Sequence, residues 1–190
     1  MCSSIKVKKI STTTKKYWTS TISFWLKLDP ANELEPGYTD PLQITDVNYN
    51  DAAIWVDFTD KNPRNFRLGL IGDLAPRKAD STFNEQEYHK RRLVRAITLP
   101  FTSDKWTHIL IKVEKLNTGS GQASLYLNAI LQETKMGISD DFTWDITQSN
   151  IFLGINYIGM MDELTILNKA LSDKEIVALY QMKAGLKKIL

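Results

Sequence analysis

The stretch that decides the fold lies near the C-terminus and reads GMMDELTILNKALSDKEIVALY, residues 159–180. Its first part alternates apolar and polar residues, as a half-buried strand does. Ser172 then stands where a helix N-cap is expected, and Glu175 three residues later completes a capping box. Leu171 and Ile176 occupy the two positions of a hydrophobic staple. The sequence therefore predicts a last strand that leads directly into a short closing helix.

The alternating pattern also recurs upstream of this stretch. TISFWLKL at 21–28 places Ile22, Phe24 and Leu26 on one face of a strand and Trp25 on the other. Many short alternating segments separated by turn residues are typical of an all-β sandwich or barrel. The remaining predicted strands lie at 52–58, 66–71, 106–113, 123–131, 151–153 and 164–167.

Two long segments interrupt this pattern. The first, 29–41, contains Pro and Gly at positions that disfavour regular structure, so it is predicted to be a loop. The second, 74–98, is a long insertion rich in charged residues. Neither has the composition of a domain linker, so residues 1–190 are predicted to form a single domain.

Composition narrows the functional classes. The chain has 190 residues, 43% of them hydrophobic and 24% charged, and no apolar run is long enough to cross a membrane. A net charge of +2 gives no basic excess for nucleic acid. Cys2 is the single cysteine, which excludes an internal disulfide or a cysteine zinc site. The N-terminus has no apolar signal-peptide core, so we expect either an intracellular chain or one whose secretion signal was removed.

Four segments together resemble the laminin G-like, concanavalin A-like jelly-roll modules of bacterial surface and secreted proteins. They are WTH at 106–108, ASLYLNAILQ at 123–132, IFLG at 151–154 and the stretch 159–180. Ala129 stands where such modules usually have glycine, and their usual N-terminal FDG element is missing. The resemblance implies a two-sheet antiparallel β-sandwich with one short C-terminal helix. It also implies carbohydrate or protein binding at an extracellular or cell-surface location.

Motifs for catalysis are missing from the sequence. There is no G-x-S-x-G, no phosphate-binding glycine loop and no HExxH. A glycosidase needs only two carboxylates, which have no fixed spacing in sequence, so this chemistry stays open. His108 follows Trp106 at the start of a predicted strand, and we expect its ring to pack and hydrogen-bond. We predict a protein that is not an enzyme.

Calcium is the one cofactor that we consider. Residues 29–60 hold eight acids and no Lys or Arg, and hard cations bind several oxygen ligands. The region has no EF-hand spacing, and solvated loop acids are the simpler interpretation. In modules of the family that the chain resembles, the aspartate of the Asp-Glu pair lies in a constrained position and sometimes near calcium. This makes Asp162 the metal candidate, with structural hydrogen bonding as the alternative.

The outward faces of the strands supply the ligand-binding candidates. Flat aromatic rings beside fixed polar groups are the mixture that binds sugars. If the alternation is correct, an outer face carries such a mixture. The alternative is that the two long segments cover Trp25 and Trp55, which then form a satellite core. The candidate residues are Trp25, Trp55, Asp57, Arg67, Tyr126 and Asn128.

The sequence therefore predicts a non-catalytic, lectin-like binding module for a glycan or protein ligand, without nucleic-acid binding or membrane insertion. The competing hypothesis is a structural subunit of a multiprotein or virion surface complex. In that case the segments 29–50 and 74–98 form the interface of a larger assembly. A shallow aromatic groove favours the first hypothesis, and an exposed apolar patch on either segment favours the second.

Overall fold

The structure is a computed structural model that describes residues 3–6, 17–46, 51–139, 142 and 148–182. Within these residues, eleven strands and three helices form two packed antiparallel sheets. The helices are α1 (Ala75–Lys78), α2 (Glu85–Arg92) and α3 (Asp173–Gln181). The strands are β1 (Ser3–Lys6), β2 (Trp18–Lys27), β3 (Thr39–Thr45), β4 (Asp51–Phe58), β5 (Phe66–Asp73), β6 (Leu93–Arg95), β7 (Thr107–Leu116), β8 (Gly121–Leu127), β9 (Ile130–Ile138), β10 (Asn150–Ile155) and β11 (Met160–Leu167).

The two sheets have different strand numbers. Sheet A has the order β1-β10-β3-β4-β5-β6, and sheet B has the order β11-β2-β7-β8-β9. Neighbouring strands in both sheets run antiparallel. The predicted all-β sandwich is therefore confirmed. In the parts of the chain that the structure describes, no helix has the length and apolar character needed to cross a membrane.

The alternation predicted from the sequence decides which side chains enter the core. Ile22, Phe24 and Leu26 of β2 are fully buried between the sheets, whereas Trp25 lies on the outer face. In β4, Ile54 and Val56 point inward by the same rule. The two inner faces thus form one apolar core, as expected for a sandwich.

The closing helix is capped as predicted. Ser172 accepts a hydrogen bond from the Glu175 backbone N–H, and the Glu175 side chain accepts one from the Ser172 N–H. Leu171 and Ile176 are both buried in a cluster that α3 forms on the outer face of sheet B. Hydrogen bonds from Lys169 and then from Ser172 lower the pKa of Glu175 to about 2.

The prediction that 29–41 is entirely loop is wrong at its end, because β3 begins at Thr39. The pairing of β3 with β4 shifts register between Thr39 and Leu42, so Pro41 lies where the ladder is already irregular.

The insertion 74–98 contains α1, α2 and β6. Asn84 caps α2 by accepting a hydrogen bond from the Glu87 N–H at 3.0 Å. This helix buries only Tyr88, so its sequence has no apolar periodicity from which a helix could be predicted.

The predicted strand 123–131 is two strands joined by a tight turn. Asn128 and Ala129 form the turn with φ of 52° and 62°, the left-handed values of a two-residue hairpin loop. Asn128 and His108 fix this turn to sheet B: the Asn128 N–H donates to the His108 carbonyl at 2.9 Å, and the His108 N–H donates to Asn128 Oδ1 at 2.9 Å. These bonds hold Ala129 at a position that usually takes glycine.

Candidate functional site

Each sheet has an outer face that a helix covers only in part. On sheet A, α2 and the residues around it cover one end of the face, and a groove of about 630 Å³ remains beside them. On sheet B, α3 covers the middle of the face, and a groove of about 670 Å³ remains beside it. Groove A is lined by Tyr38, Asp40, Gln43, Trp55, Asp57, Arg67, His89, Leu93, Ile155 and Asn156. Groove B is lined by Trp25, Pro100, Lys105, Trp106, Asn128, Asp162, Glu163 and Tyr180.

Trp55 forms part of the floor of groove A, but most of its ring is buried. It is 7% exposed and belongs to a satellite cluster with Ile71, Tyr88 and Leu93. Gly69 is its cross-strand partner, and a Cβ added there would lie 2.1 Å from the indole. The ring thus lies directly on the backbone of β5. The alternative of a satellite core is therefore correct for Trp55, which the insertion covers.

An ion pair beside Trp55 fixes the polar part of groove A. Asp57 and Arg67 face each other on β4 and β5, and the guanidinium binds the carboxylate through both Nε and Nη2, with Nε donating to Oδ1 at 2.9 Å. The guanidinium carbon also lies 5.3 Å from the centre of the Tyr38 ring, within cation–π distance. Burial raises the pKa of Asp57, and the hydrogen bonds from Arg67 oppose this rise. The Asp57–Arg67 pair therefore holds its polar atoms in a fixed position in groove A. The ring of Tyr38 is 52% exposed and is accessible to a ligand.

Asp40 is the polar group of groove A whose carboxylate has no hydrogen bond or ion pair with the described residues. It lies on β3 opposite Ile155 and is half-buried. Burial, and next the nearby Asp57 carboxylate, raise the pKa of Asp40 to about 7. A half-buried carboxyl without a protein partner is costly in the free protein. The side chain is therefore available to a ligand.

The loop that carries Tyr38 is held by a buried arginine. Arg64, 6% exposed, donates through Nη1 to the carbonyls of Gly37 (2.8 Å) and Thr59 (2.7 Å), and through Nη2 to that of Glu35 (2.6 Å). These bonds join the loop before β3 to the turn after β4. Arg64 thus fixes the backbone next to Tyr38, which is a positioning role.

Groove B is built around stacked rings. The Trp25 ring lies 5.8 Å from that of Tyr180 at 23°, and 4.8 Å from that of His108. His108 is 1% exposed and its Nε2 lies 2.7 Å from Ser23 Oγ, which confirms the predicted packing and hydrogen bonding. Burial lowers the pKa of His108 to about 4. This neutral ring supports Trp25 from below, and Trp106 stands 40% exposed at the groove.

The sequence suggests that the six candidate ligand residues share one outer face. The structure shows that they do not, because they belong to different sheets. Trp55, Asp57 and Arg67 lie in groove A, whereas Trp25 and Asn128 lie in groove B. Tyr126 lies in neither groove. Its ring is 5% exposed beneath α3, and its hydroxyl donates to Asp173 Oδ1 at 3.2 Å.

Asp40, Tyr38 and Tyr180 are not among the six candidate ligand residues. Asp40 and Tyr38 both lie in the segment 29–41, which is predicted to be loop, so no alternation indicates the direction of their side chains. Tyr180 follows the last periodic positions of α3, and only the crossing of the helix over β2 brings its ring to Trp25. An acid next to a proline, as in Asp40 and Pro41, was the available signal for a distorted strand.

Asp162, the metal candidate, is exposed in groove B, and its Oδ1 accepts a hydrogen bond from the Glu163 N–H at 2.8 Å. Among the described residues, no three His, Cys, Asp or Glu side chains come together as metal ligands. Calcium takes six to eight oxygen ligands, so these two carboxylates alone supply a minority of them. Calcium binding stays a prediction.

A two-sheet antiparallel sandwich is the architecture of jelly-roll domains, among other β-sandwich classes. The family model described as the concanavalin A-like lectin/glucanases superfamily, in its laminin G branch, matches residues 3–177. The chain belongs to this superfamily, and the resemblance stated from the sequence is confirmed. None of the curated proteins matches the chain.

Solved structures share the fold at low identity. The CBM40 of the Ruminococcus gnavus IT-sialidase, bound to alpha2,3 sialyllactose, has a TM-score of 0.54 and 16% identity over 86% of this chain and 83% of its own. The binding domain of botulinum neurotoxin DC, in complex with rat synaptotagmin II, has a TM-score of 0.56 and 17% identity over 89% of this chain. The binding domain of Paraclostridial Mosquitocidal Protein 1 has a TM-score of 0.53 and 17% identity over 88% of this chain. This chain spans 37% and 38% of these two toxin chains.

Proposed function

We propose that this protein is a non-catalytic binding module that recognises a neutral carbohydrate in groove A. The observation that carries the proposal is the half-buried Asp40 carboxyl, which has no hydrogen bond or ion pair with the described residues and lies beside a fixed Arg67–Asp57 pair. A sugar hydroxyl donates to such a carboxylate and regains the hydrogen bond that burial removed.

The other groups of groove A suit the same ligand. The open ring of Tyr38 provides a flat surface for the apolar face of a pyranose. The amides of Gln43 and Asn156 each offer both a donor and an acceptor, as sugar hydroxyls require. A few fixed polar groups around an aromatic surface are typical of small-ligand sites.

The charge of groove A supports a neutral sugar over an acidic one. The Arg67 guanidinium is already bound by Asp57, and His89 lies 3.5 Å from Glu85. Because these basic side chains already have acidic partners, they do not offset the charge of Asp40, and the ionised Asp40 carboxylate repels a sugar acid. This groove differs in its expected ligand from the CBM40 neighbour, which was solved with a sialylated sugar.

The ion pair between Asp57 and Arg67 also supports a binding role over glycan hydrolysis. Glycosidases need one carboxyl as acid and a second as base or nucleophile. In groove A both oxygens of Asp57 accept from Arg67, which leaves Asp40 as the only acid free for chemistry among the described lining residues. Neighbours that are named as binding domains support the same conclusion, and a surface or secreted location fits this role.

The assembly hypothesis has less support. The insertion 74–98 uses its apolar residues Leu74, Tyr88 and Leu93 to cover Trp55, so they are buried within the protein. Among the large apolar side chains that the structure describes in this insertion, Ile97 is the exposed one, at 81%. A single exposed apolar side chain is ordinary on a protein surface.

A glycan array tests the proposal. The wild-type protein should bind neutral glycans more strongly than their sialylated forms, and Asp40→Ala and Arg67→Ala should each reduce that binding by about tenfold or more. Trp106→Ala, which alters groove B instead, should leave it unchanged. The proposal is overturned if no glycan binds, if sialylated forms bind best, or if Trp106→Ala abolishes binding while Asp40→Ala does not.

A further inference from the structure

Groove B has an unusual arrangement of two acids from consecutive residues. In a regular strand, neighbours such as Asp162 and Glu163 point to opposite faces. Here the pairing of β11 with β2 shifts register between Asp162 and Thr165, and Glu163 has φ of 55°. Both residues line groove B, although they are consecutive in the chain, and both also line a smaller depression beside Met161 and Leu164.

The two carboxylates have acceptor capacity that the protein does not use. Asp162 accepts one hydrogen bond, from the neighbouring backbone N–H, and neither acid forms an ion pair with a described residue. Both side chains are exposed, so a ligand can reach them. Lys105 is the one cation among the described lining residues, and the two acids outnumber it.

Aromatic rings form the rest of the groove. Trp25 is fixed by its stack with Tyr180 and its contact with His108, and Trp106 is open to solvent. The face of an indole carries negative potential and attracts cations, more strongly than other aromatic side chains do. Rings and carboxylates thus favour the same kind of occupant, one with a positive charge on an apolar stem.

We propose that groove B binds a lysine or arginine side chain of a partner protein. The methylene stem packs against the indoles, and the cationic head donates to Asp162 and Glu163. The groove volume of about 670 Å³ accommodates such a side chain together with the partner backbone that carries it. This site is independent of groove A, because it lies on the other sheet.

A titration with a minimal basic ligand tests the site. The probe is a capped pentapeptide with one central lysine between glycines, and its control has norleucine in place of lysine, which keeps the stem and removes the charge. The readout is the indole N–H signals in a nitrogen–proton correlation spectrum, assigned with Trp25→Phe and Trp106→Phe. The lysine peptide should shift the Trp25 and Trp106 signals saturably, and the norleucine peptide should not.

Variants establish whether the two acids are responsible. The double change Asp162→Asn with Glu163→Gln should weaken binding by about tenfold, and added salt should weaken it in the wild type. Glu35→Gln with Asp60→Asn removes the same net charge outside both grooves and should leave binding unchanged. Melting curves of each variant check that it is folded.

Three results would overturn this assignment. The first is no shift with the lysine peptide, and the second is equal shifts with both peptides, which would indicate a merely apolar groove. The third is unchanged binding in the Asp162→Asn, Glu163→Gln protein. If calcium chloride shifts the same signals and the lysine peptide does not, the carboxylates belong to a metal site instead.

Discussion

Trp55 offers the sharpest test of how groove A is built. An exposed sugar-stacking tryptophan adds little to stability, whereas this one is 7% exposed and lies on Gly69 beneath the insertion. Removing about 200 Å² of buried ring at about 25 cal/mol per Å² costs up to about 5 kcal/mol. Measured changes of this kind cost about 3–5 kcal/mol. We expect a loss in this range for Trp55→Ala.

Urea unfolding followed by far-UV circular dichroism measures this loss, with the m-value checked for constancy. Trp106→Ala is the matched control: the same chemical change at a ring that is already 40% exposed removes less buried area and should therefore cost measurably less than Trp55→Ala. If the two variants lose equal stability, or if Trp55→Ala loses under about 1 kcal/mol, the insertion does not cover Trp55 as described. A Trp55→Ala protein that is stable yet unable to bind glycan would instead make this ring a direct ligand contact.

Four further predictions each concern a single residue. Ser172→Ala should destabilise by about 0.5–2 kcal/mol through loss of the cap, and an unchanged urea midpoint would contradict this. Arg64→Met leaves three partly buried carbonyls without their donor and should cost about 3 kcal/mol; a loss below about 1 kcal/mol would refute the positioning role. The pKa of Asp40 rises from 3.8 to about 7 on folding, so between these values the folded state binds more protons than the unfolded state does. The free energy of unfolding should therefore decrease as the pH is raised from about 4 to about 7. Asp40→Asn should abolish this fall, and an unchanged pH profile in that variant would show another cause. Millimolar calcium added to chelated protein should raise the melting temperature, and Asp162→Asn should remove the increment; identical curves with calcium and with chelator would end the metal hypothesis.

Local sequence was sufficient for the sandwich and its closing helix. Alternation reports which face of a strand is buried, and it correctly assigned Phe24 and Val56 to the core and Trp25 to the outside. The capping box needs only residues 172–175, so it too could be predicted. Such signals depend on neighbours in the chain, which a sequence displays directly.

The grooves depend on contacts between distant segments, which local patterns do not encode. Alternation placed Trp25 and Trp55 outside the core, but it could not tell that one ring lies under the insertion and the other against α3. Nor could it tell that Asp57 and Asn128 belong to different sheets. A strand position gives the side of its own sheet, and the sheet order decides which outward residues meet.

The partial covering of each sheet is what creates both grooves. The helix α2 packs its Tyr88 in the cluster of Trp55 and contributes His89 to the lining of groove A, and α3 contributes Tyr180, which stacks on Trp25, to the lining of groove B. The strands beneath supply the floor of each groove, while part of the wall comes from the insertion 74–98 in groove A and from the C-terminal helix in groove B. For this reason neighbours at 16% and 17% identity share the fold with this chain without indicating which sugar or protein it binds.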